Sequence, residues 1–288
     1  MPGTLYLIAT PIGNLEDITL RALRVLGEVD LVACEDTRHT RKLLTHFQIN
    51  RPTVSYHEHN ERERAEELVE KLLAGANIAL VSDAGTPLIS DPGYRIVRES
   101  IDRGIAVVPL PGASALVTAL AASGLATSDF VFAGFLPSRS AARRARLSEL
   151  ARFQSTLVFY ESPHRIKETI RDALELLGDR ESVIARELTK LHEQFMRDRL
   201  SGLLSALDGR AIKGEIVLIV GPPPDDGRMQ KAPSEPISLL TEVESLMESD
   251  GIDQMAALKR VARARGISKS DAYRMLLAER EGNEEEMR

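Results

Sequence analysis

The chain has 288 residues, 43% hydrophobic and 28% charged, the composition of an ordinary globular protein long enough for two domains without disulfide or metal staples. A single cysteine, Cys34, excludes a disulfide framework and points to the reducing cytosol. The net charge of −6 argues against a protein that coats nucleic acid over its whole surface, so any such contact must come from local basic patches. No run approaches the 18 or more apolar residues of a membrane span, since the stretch from Ala113 to Ala122 is broken by Ser114 and Thr118. The start, MPGTLYLIAT, has no basic region before its apolar run and does not read as a signal peptide.

Strand-like and helix-like segments alternate along most of the chain. Thr4–Ala9, Leu31–Cys34, Val54–His57, Ile78–Val81 and Ala106–Leu110 read as strands. Between and after them lie helical patterns at Leu20–Leu26, Arg38–Phe47, Arg62–Leu73, Tyr94–Arg103 and Ser114–Ala122. This alternation predicts an α/β domain with a largely parallel sheet over residues 1–122. A second α/β domain is expected over 123–222, with strands at Val131–Phe135, Thr156–Tyr160, Ser182–Arg186, Gln194–Arg197 and Ile216–Val220. Its helices fall at Ala141–Phe153, Arg165–Leu177 and Leu203–Leu207. The connection after Glu187 is too short for an ordinary crossover helix, so part of this sheet is predicted to be antiparallel.

Pro222-Pro223-Pro224-Asp225-Asp226-Gly227 opens a linker over 223–236. Beyond it, 237–288 reads as a small helical module. Two helices meet around Gly266-Ile267-Ser268 in a helix-turn-helix outline, with Gly266 closing the first, Ser268 capping the second, and a solvated Glu-rich tail after Glu279.

The familiar cofactor and nucleophile motifs are missing. There is no G-x-G-x-x-G after a strand, no phosphate-binding G-x-x-x-x-G-K-[ST], no H-E-x-x-H and no G-x-S-x-G elbow. His57-Glu58-His59 reads as polar loop residues at a strand end rather than a metal centre, and no metal is expected. What remains are three glycine- and proline-punctuated loops after the first, fourth and fifth strands: Thr10–Leu15, Ser82–Gly93 and Pro109–Ala115. Open α/β sheets bind ligands beyond the carboxyl ends of their strands, and small residues there let backbone approach a ligand closely.

The blocks LYLIATPIGNLEDIT, ACEDTRHTRKLL, SDAGTPLISDPG, PLPGASA, FAGFLP, FYESPHR, ARELTKLHE and KGEIVLIVG, in this order from about Thr4 to Gly221, resemble the tetrapyrrole-methylase-like (class III) S-adenosylmethionine-dependent methyltransferases. Within that class the chain is most similar to the branch that methylates the ribose 2′-hydroxyl of a cytidine in the decoding region of 16S ribosomal RNA. The resemblance implies two α/β domains with S-adenosylmethionine in the cleft between them. It places cofactor contacts at Thr10 and Pro11, at Gly85, Thr86 and Ile89 beside the acid Asp83, and at Ser114 and Ala115. Across the cleft it places them at Tyr160, Glu161, Leu188, Gly214 and Glu215. Porphyrin-type members read Gly-Asp-Pro where this chain has Gly85-Thr86-Pro87, which fits the RNA branch. The class commonly dimerises, so a cytoplasmic homodimer acting on the small ribosomal subunit is implied, with no membrane partner.

Methyl transfer to an alcohol needs positioning, worth roughly 7–11 kcal/mol, and a general base worth about 10²–10⁴-fold. The strand-end segments place Asp36 or Glu187 as candidate bases, with Arg38, Arg165 and Lys190 steadying phosphates. The plainer alternative for these residues is a structural ion-pair network such as Glu35 with Arg38. For RNA binding, Arg139, Arg143, Arg144, Arg146 and Arg152 form a patch with Glu149 as its one acid. Lys259, Arg260, Arg263, Arg265, Lys269 and Arg274 form another around Asp271. A solvated helix face is the alternative for each. Aromatic residues at 4% and no Trp argue against a base-stacking platform, so recognition should rest on phosphates, RNA shape and the 2′-hydroxyl. Competing functions are methylation of a small tetrapyrrole-like substrate and, outside catalysis, a helix-turn-helix DNA-binding regulator.

Overall fold

The computed structural model describes residues 1–209, 212–224, 239–264 and 267–286. The chain divides into two compact units, Met1–Pro224 and Asp225–Arg288.

In the larger unit the first sheet contains β1 (Thr4–Ile8), β2 (Leu31–Cys34), β3 (Thr53–Ser55), β4 (Ile78–Val81) and β5 (Ala106–Leu110), in the order β3-β2-β4-β1-β5. Every pairing is parallel, as the strand–helix alternation requires. β4 shows why a continuous apolar run is needed here. Ile78 and Leu80 point into one core with Leu5, Leu68, Leu72 and Ile96, while Ala79 and Val81 point into another with Ile8, Val25, Leu26 and Val32. The two cores are covered by α1 (Leu20–Glu28), α2 (Thr37–His46), α3 (Glu61–Leu73) and α4 (Tyr94–Asp102). Thr19 Oγ1 caps α1 by accepting from the Ala22 N–H at 3.0 Å, and Asp36 Oδ1 caps α2 by accepting from the Arg38 N–H at 2.8 Å.

The second sheet contains β6 (Phe130–Phe135), β7 (Thr156–Glu161), β8 (Glu181–Arg186), β9 (Gln194–Arg199) and β10 (Ile216–Val220), in the order β6-β7-β10-β8-β9. Only β6–β7 is parallel; the other three pairings are antiparallel, the mixed arrangement expected from the short connection after Glu187. The central β10 is buried along its length. Ile216, Leu218 and Val220 face a core closed by α6 (Ser140–Leu150), α7 (Ile166–Leu177) and α8 (Leu200–Ala206). Val217 and Ile219 face the opposite way, toward α5 (Ala115–Ser123), Ile12 and Leu188. Helix α5 follows the first sheet in sequence, yet Ala119 and Leu120 pack on this second sheet, so α5 and the loop carrying Ile12 join the two halves. A bulge between Phe132 and Gly134 in β6, with Gly134 at φ 62°, brings that strand beside Ser90 of the first half.

The described residues of the smaller unit form three helices, α9 (Leu239–Asp250), α10 (Gln254–Ala264) and α11 (Lys269–Glu286), around Leu239, Val243, Leu258, Val261, Ala272 and Leu276. Ser268 caps α11 as the sequence suggests, its Oγ accepting from the Asp271 N–H at 3.1 Å. The helix then runs on to Glu286, through the stretch expected to be a frayed tail. Gly266, Arg265 and the linker from residue 225 onward lie outside the described residues.

Candidate active site

The neighbouring strands β4, β1 and β5 end on the same edge of the first sheet, and the three loops after them are tied together by their own hydrogen bonds. The backbones of Thr10 and Gly85 exchange two bonds, at 2.9 and 3.0 Å. Thr10 Oγ1 donates to the Ser82 carbonyl at 3.0 Å, and Ser82 Oγ donates to the Gly85 carbonyl at 3.0 Å. Thr86 Oγ1 donates to the Ala113 carbonyl at 3.1 Å, joining the second loop to the third.

These loops form one wall of a cavity of about 370 Å³ whose other wall comes from the second half of the unit. Of the residues expected to hold the cofactor, Asp83, Gly85, Thr86, Ile89, Ser114, Ala115, Tyr160, Glu161, Leu188, Gly214 and Glu215 line this cavity. Thr10 and Pro11 line a groove next to it instead. The far wall is braced aromatically, Tyr160 meeting Phe132 and Phe135 edge-on with ring centres 5.0 and 5.6 Å apart.

Backbone strain concentrates at this cavity. Of the five non-glycine residues with positive φ among the described residues, Leu88 and Ser90 lie in one bordering loop and Glu187 and Thr189 in another. Such conformations cost about 1–3 kcal/mol each and persist where the surrounding structure holds them. Gly214, at φ 91°, has a different reason: a Cβ there would run into the Glu187 carboxylate.

The acids divide by their surroundings. The Glu161 carboxylate is fully buried; it accepts from the Ser162 N–H and Thr169 Oγ1 and pairs with Arg165 at 2.7 Å. Arg165 therefore buttresses the wall from behind, its guanidinium also reaching the Leu136 carbonyl at 3.3 Å. Glu215 pairs with Lys190 at 3.2 Å, and Lys190 also holds Glu187 at 3.1 Å. Asp83 and Asp91 line the cavity with no cation paired to either among the described residues. Burial, and then the charges of Glu35 and Asp83, push the Asp91 carboxyl up to about 6 against a weaker opposing hydrogen bond from Ser82. Burial, followed by Asp83, likewise raises Glu35.

The two acids expected to act as bases sit differently. Asp36 caps α2 and grips Arg38, and the Arg38 hydrogen bonds hold its carboxyl down at about 2. Glu187 is held below the usual carboxylate range, first by its bond from Lys190. Neither lines the cavity. A strongly stabilised carboxylate is a weak proton acceptor, so both residues fit the ion-pair network. Asp91 was not singled out in the sequence, where Asp91-Pro92-Gly93 reads as a turn. Its neighbours Glu35 and Asp83 come from β-strand ends that only the sheet brings together.

The arginine patch also needs correction. Arg143 is 2% exposed and bonds Asp172 at 2.7 Å and Glu168 at 3.5 Å on α7, so its guanidinium is spent inside the fold. Arg144 bonds Glu175 at 2.6 Å and Asp172 at 3.0 Å, and those bonds raise its pKa. Arg146 pairs with Glu149 at 2.7 Å, and the Arg152 guanidinium lies 5.4 Å from the Phe153 ring centre. Arg139 is exposed and makes no ion pair among the described residues. No group of three His, Cys, Asp or Glu side chains among the described residues is arranged to hold a metal ion.

Comparison with known proteins agrees with this geometry. The sequence pattern of the tetrapyrrole (corrin/porphyrin) methylases matches residues 4–204. The ribosomal RNA small subunit methyltransferase I of Halalkalibacterium halodurans is 50% identical over 271 residues, 94% of this chain and 93% of that protein. The protein of the same name from Vibrio cholerae is 54% identical over 240 residues, 82% of this chain and 83% of its own. Among solved structures, uroporphyrin-III C-methyltransferase of Thermus thermophilus, complexed with S-adenosyl homocysteine, superposes with a TM-score of 0.54 at 22% identity, over 76% of this chain and 97% of that one. Cobalt precorrin-4 methyltransferase superposes with a TM-score of 0.57 at 18% identity, over 76% and 94%. These two share the fold; the family follows from the sequence match and the half-identical relatives, and the chain belongs to the tetrapyrrole (corrin/porphyrin) methylases.

Proposed function

We propose that this enzyme transfers the methyl group of S-adenosylmethionine to the ribose 2′-oxygen of a cytidine in 16S ribosomal RNA, within the small ribosomal subunit. The observation that carries the substrate is half identity, across almost the whole chain, with relatives named for small-subunit ribosomal RNA methylation. The cleft supports the donor. S-adenosylmethionine bears a sulfonium and an ammonium against one carboxylate, so it is net cationic, and the cavity offers the uncompensated acids Asp83 and Asp91 inside apolar walls. Gly85, at φ 84°, keeps side-chain bulk out of the loop that such a ligand would lie against.

When bound, the donor supplies a methyl carbon whose bond to sulfur breaks as the bond to the 2′-oxygen forms, the sulfur keeping the electron pair as a thioether. Asp91 takes the hydroxyl proton. With its carboxyl near 6 it is largely ionised at pH 7.5, yet a better proton acceptor than an ordinary aspartate. Asp83 balances the positive donor, and the Tyr160–Phe132–Phe135 cluster keeps water from the far wall. Arg165 and Lys190 hold Glu161, Glu187 and Glu215 in place rather than touching phosphate.

The same reading extends to a cytoplasmic enzyme, which the free, buried Cys34 supports, and to a homodimer, which sedimentation of the purified chain would test. No helix among the described residues is long and apolar enough to cross a membrane. The function is tested by calorimetric binding of S-adenosylmethionine, followed by methyl transfer to small subunits from cells lacking the protein, with free ribosomal RNA and a uroporphyrin-type tetrapyrrole alongside. Binding together with label in the subunits is the expected result. Label only in the tetrapyrrole would move the enzyme to the small-molecule branch of its family.

A further inference from the structure

A second cavity, of about 270 Å³, opens beside the cleft between the loop after β1 and helix α2. Thr10, Pro11 and Leu15 form one side; His39, Lys42 and His46 form the other. Asp83 belongs to the walls of both cavities. The partition between them is thin: Thr10 on the groove side and Gly85 on the cleft side are the residues whose backbones exchange two hydrogen bonds.

The chemistry of the groove is opposite to that of the cleft. Helix α2, Thr37–His46, carries Arg38, His39, Arg41, Lys42 and His46 and no acidic residue. His39, Lys42 and His46 recur at i, i+3 and i+7, which puts them on one face with Leu43 at the groove floor, while Thr40 and Leu44 are buried away from it. Arg38 is engaged by Asp36, and Arg41 donates to Thr53 Oγ1 at 3.1 Å. Lys42, by contrast, makes no ion pair among the described residues and stands exposed at the groove. A row of donors with an unneutralised ammonium, one bonded backbone pair away from an acid-lined cavity, is a seat for an anion whose reacting neighbour must reach that cavity.

We propose that this groove seats the phosphate of the acceptor nucleotide on Lys42, His39 and His46, its ribose passing Asp83, which borders both cavities, so that the 2′-hydroxyl enters the cleft beside Asp91 and the donor. This rests on the RNA-methylating reading and adds the binding site for the acceptor. Phosphate contacts fix register and orientation without reading sequence, the task a cleft enzyme needs done once per target. A lysine serves as a point charge for phosphate without demanding the bidentate geometry of arginine.

The test compares three full-length proteins: wild type, the triple variant His39→Ala/Lys42→Ala/His46→Ala, and Arg146→Ala on α6 as a control whose cation is already paired. For each, the S-adenosylmethionine Kd is measured by calorimetry, and kcat/KM on small subunits is measured at several salt concentrations. The triple variant should keep its cofactor Kd within about twofold, lose about tenfold or more in kcat/KM, and show a log–log salt slope shallower by about one. Lys42→Gln alone should fall between it and wild type, and Lys42→Arg should restore most of the loss. Arg146→Ala should match wild type. An active triple variant with unchanged kcat/KM and salt slope would overturn the groove alone. So would a loss in the triple variant and Lys42→Gln confined to cofactor affinity. A wild-type enzyme that binds S-adenosylmethionine but leaves small subunits unlabelled would instead overturn the RNA reading, and the groove with it.

Discussion

Helices α2 and α6 look alike to a count of charges, and the fold treats them in opposite ways. Helix α6 carries Arg143, Arg144 and Arg146, and α7 lies against it with Glu168, Asp172 and Glu175 facing the first two. Those acids stand 25 to 31 residues away in sequence and become neighbours only through helix packing. The His39–Lys42–His46 face of α2 instead opens on a groove, and among the described residues no acid pairs with Lys42. The same contrast runs through the carboxylates: Asp36, Glu161 and Glu187 are neutralised where they sit, while Asp83 and Asp91 line the cleft with no cation paired to them among the described residues. Groups already neutralised contribute to holding the fold; groups left uncompensated are the ones available to a ligand.

The sharpest way to break that division is Asp91→Asn, which should lower kcat on small subunits by about 10²–10⁴-fold while the enzyme still binds S-adenosylmethionine. In the wild type, kcat/KM should climb with pH through a midpoint of about 6, as the Asp91 carboxyl ionises, and level off roughly one pH unit higher. The same substitution should raise thermal stability at pH 7.5. The folded chain holds the Asp91 proton more tightly than the unfolded one, so stability is lost as pH rises from about 4 to about 6 and the full penalty is present above that. Below about pH 4 both states are protonated and the gain should vanish, which melting curves across this range would show.

Arg143→Ala tests the other side of the division. It leaves Asp172, whose side chain is 11% exposed, to Arg144 alone, and should cost about 2–3 kcal/mol, a drop of roughly 5–10 °C in Tm. Activity per folded molecule should be unchanged; a wild-type Tm with weakened RNA binding would return Arg143 to the phosphate-binding set. Gly214→Ala is expected to act in between. Its positive φ and the obstructing Glu187 carboxylate predict a loss of about 1–3 kcal/mol, together with weaker cofactor binding measured by calorimetry. The smallest effect is expected for Asp36→Asn, which keeps a capping side chain and should leave kcat within about threefold. A kcat loss approaching that of Asp91→Asn would make Asp36 the base after all.

What the sequence made legible follows the same physics. β2, β4 and β10 were readable to the residue because strands buried on both faces are continuous apolar runs, as in Ile78–Val81 and Ile216–Val220. The loops after β1, β4 and β5 were readable because Gly and Pro mark positions where backbone must turn or approach closely, and part of each loop does line the cleft, while the individual contact residues came from the family resemblance. Pairing across the fold was not readable. The acids that occupy Arg143 and Arg144 belong to another helix, and Asp91 owes its perturbation first to burial and then to Glu35 and Asp83, which join it only when β2 and β4 lie side by side. Helix α9 and the extension of α11 to Glu286 were likewise less distinct than the strands, because a short helical module has no continuous apolar run to mark its limits.

The measurement that bears most directly on the account is where the transferred methyl group ends up. Small subunits from cells lacking the enzyme would be labelled from S-adenosylmethionine, and their RNA hydrolysed in alkali. Ribose methylation removes the 2′-hydroxyl that alkaline cleavage requires, so the account predicts label in a single alkali-resistant dinucleotide containing cytidine, strongly reduced with Asp91→Asn. Label recovered in mononucleotides, on a base, or in ribosomal protein would contradict it.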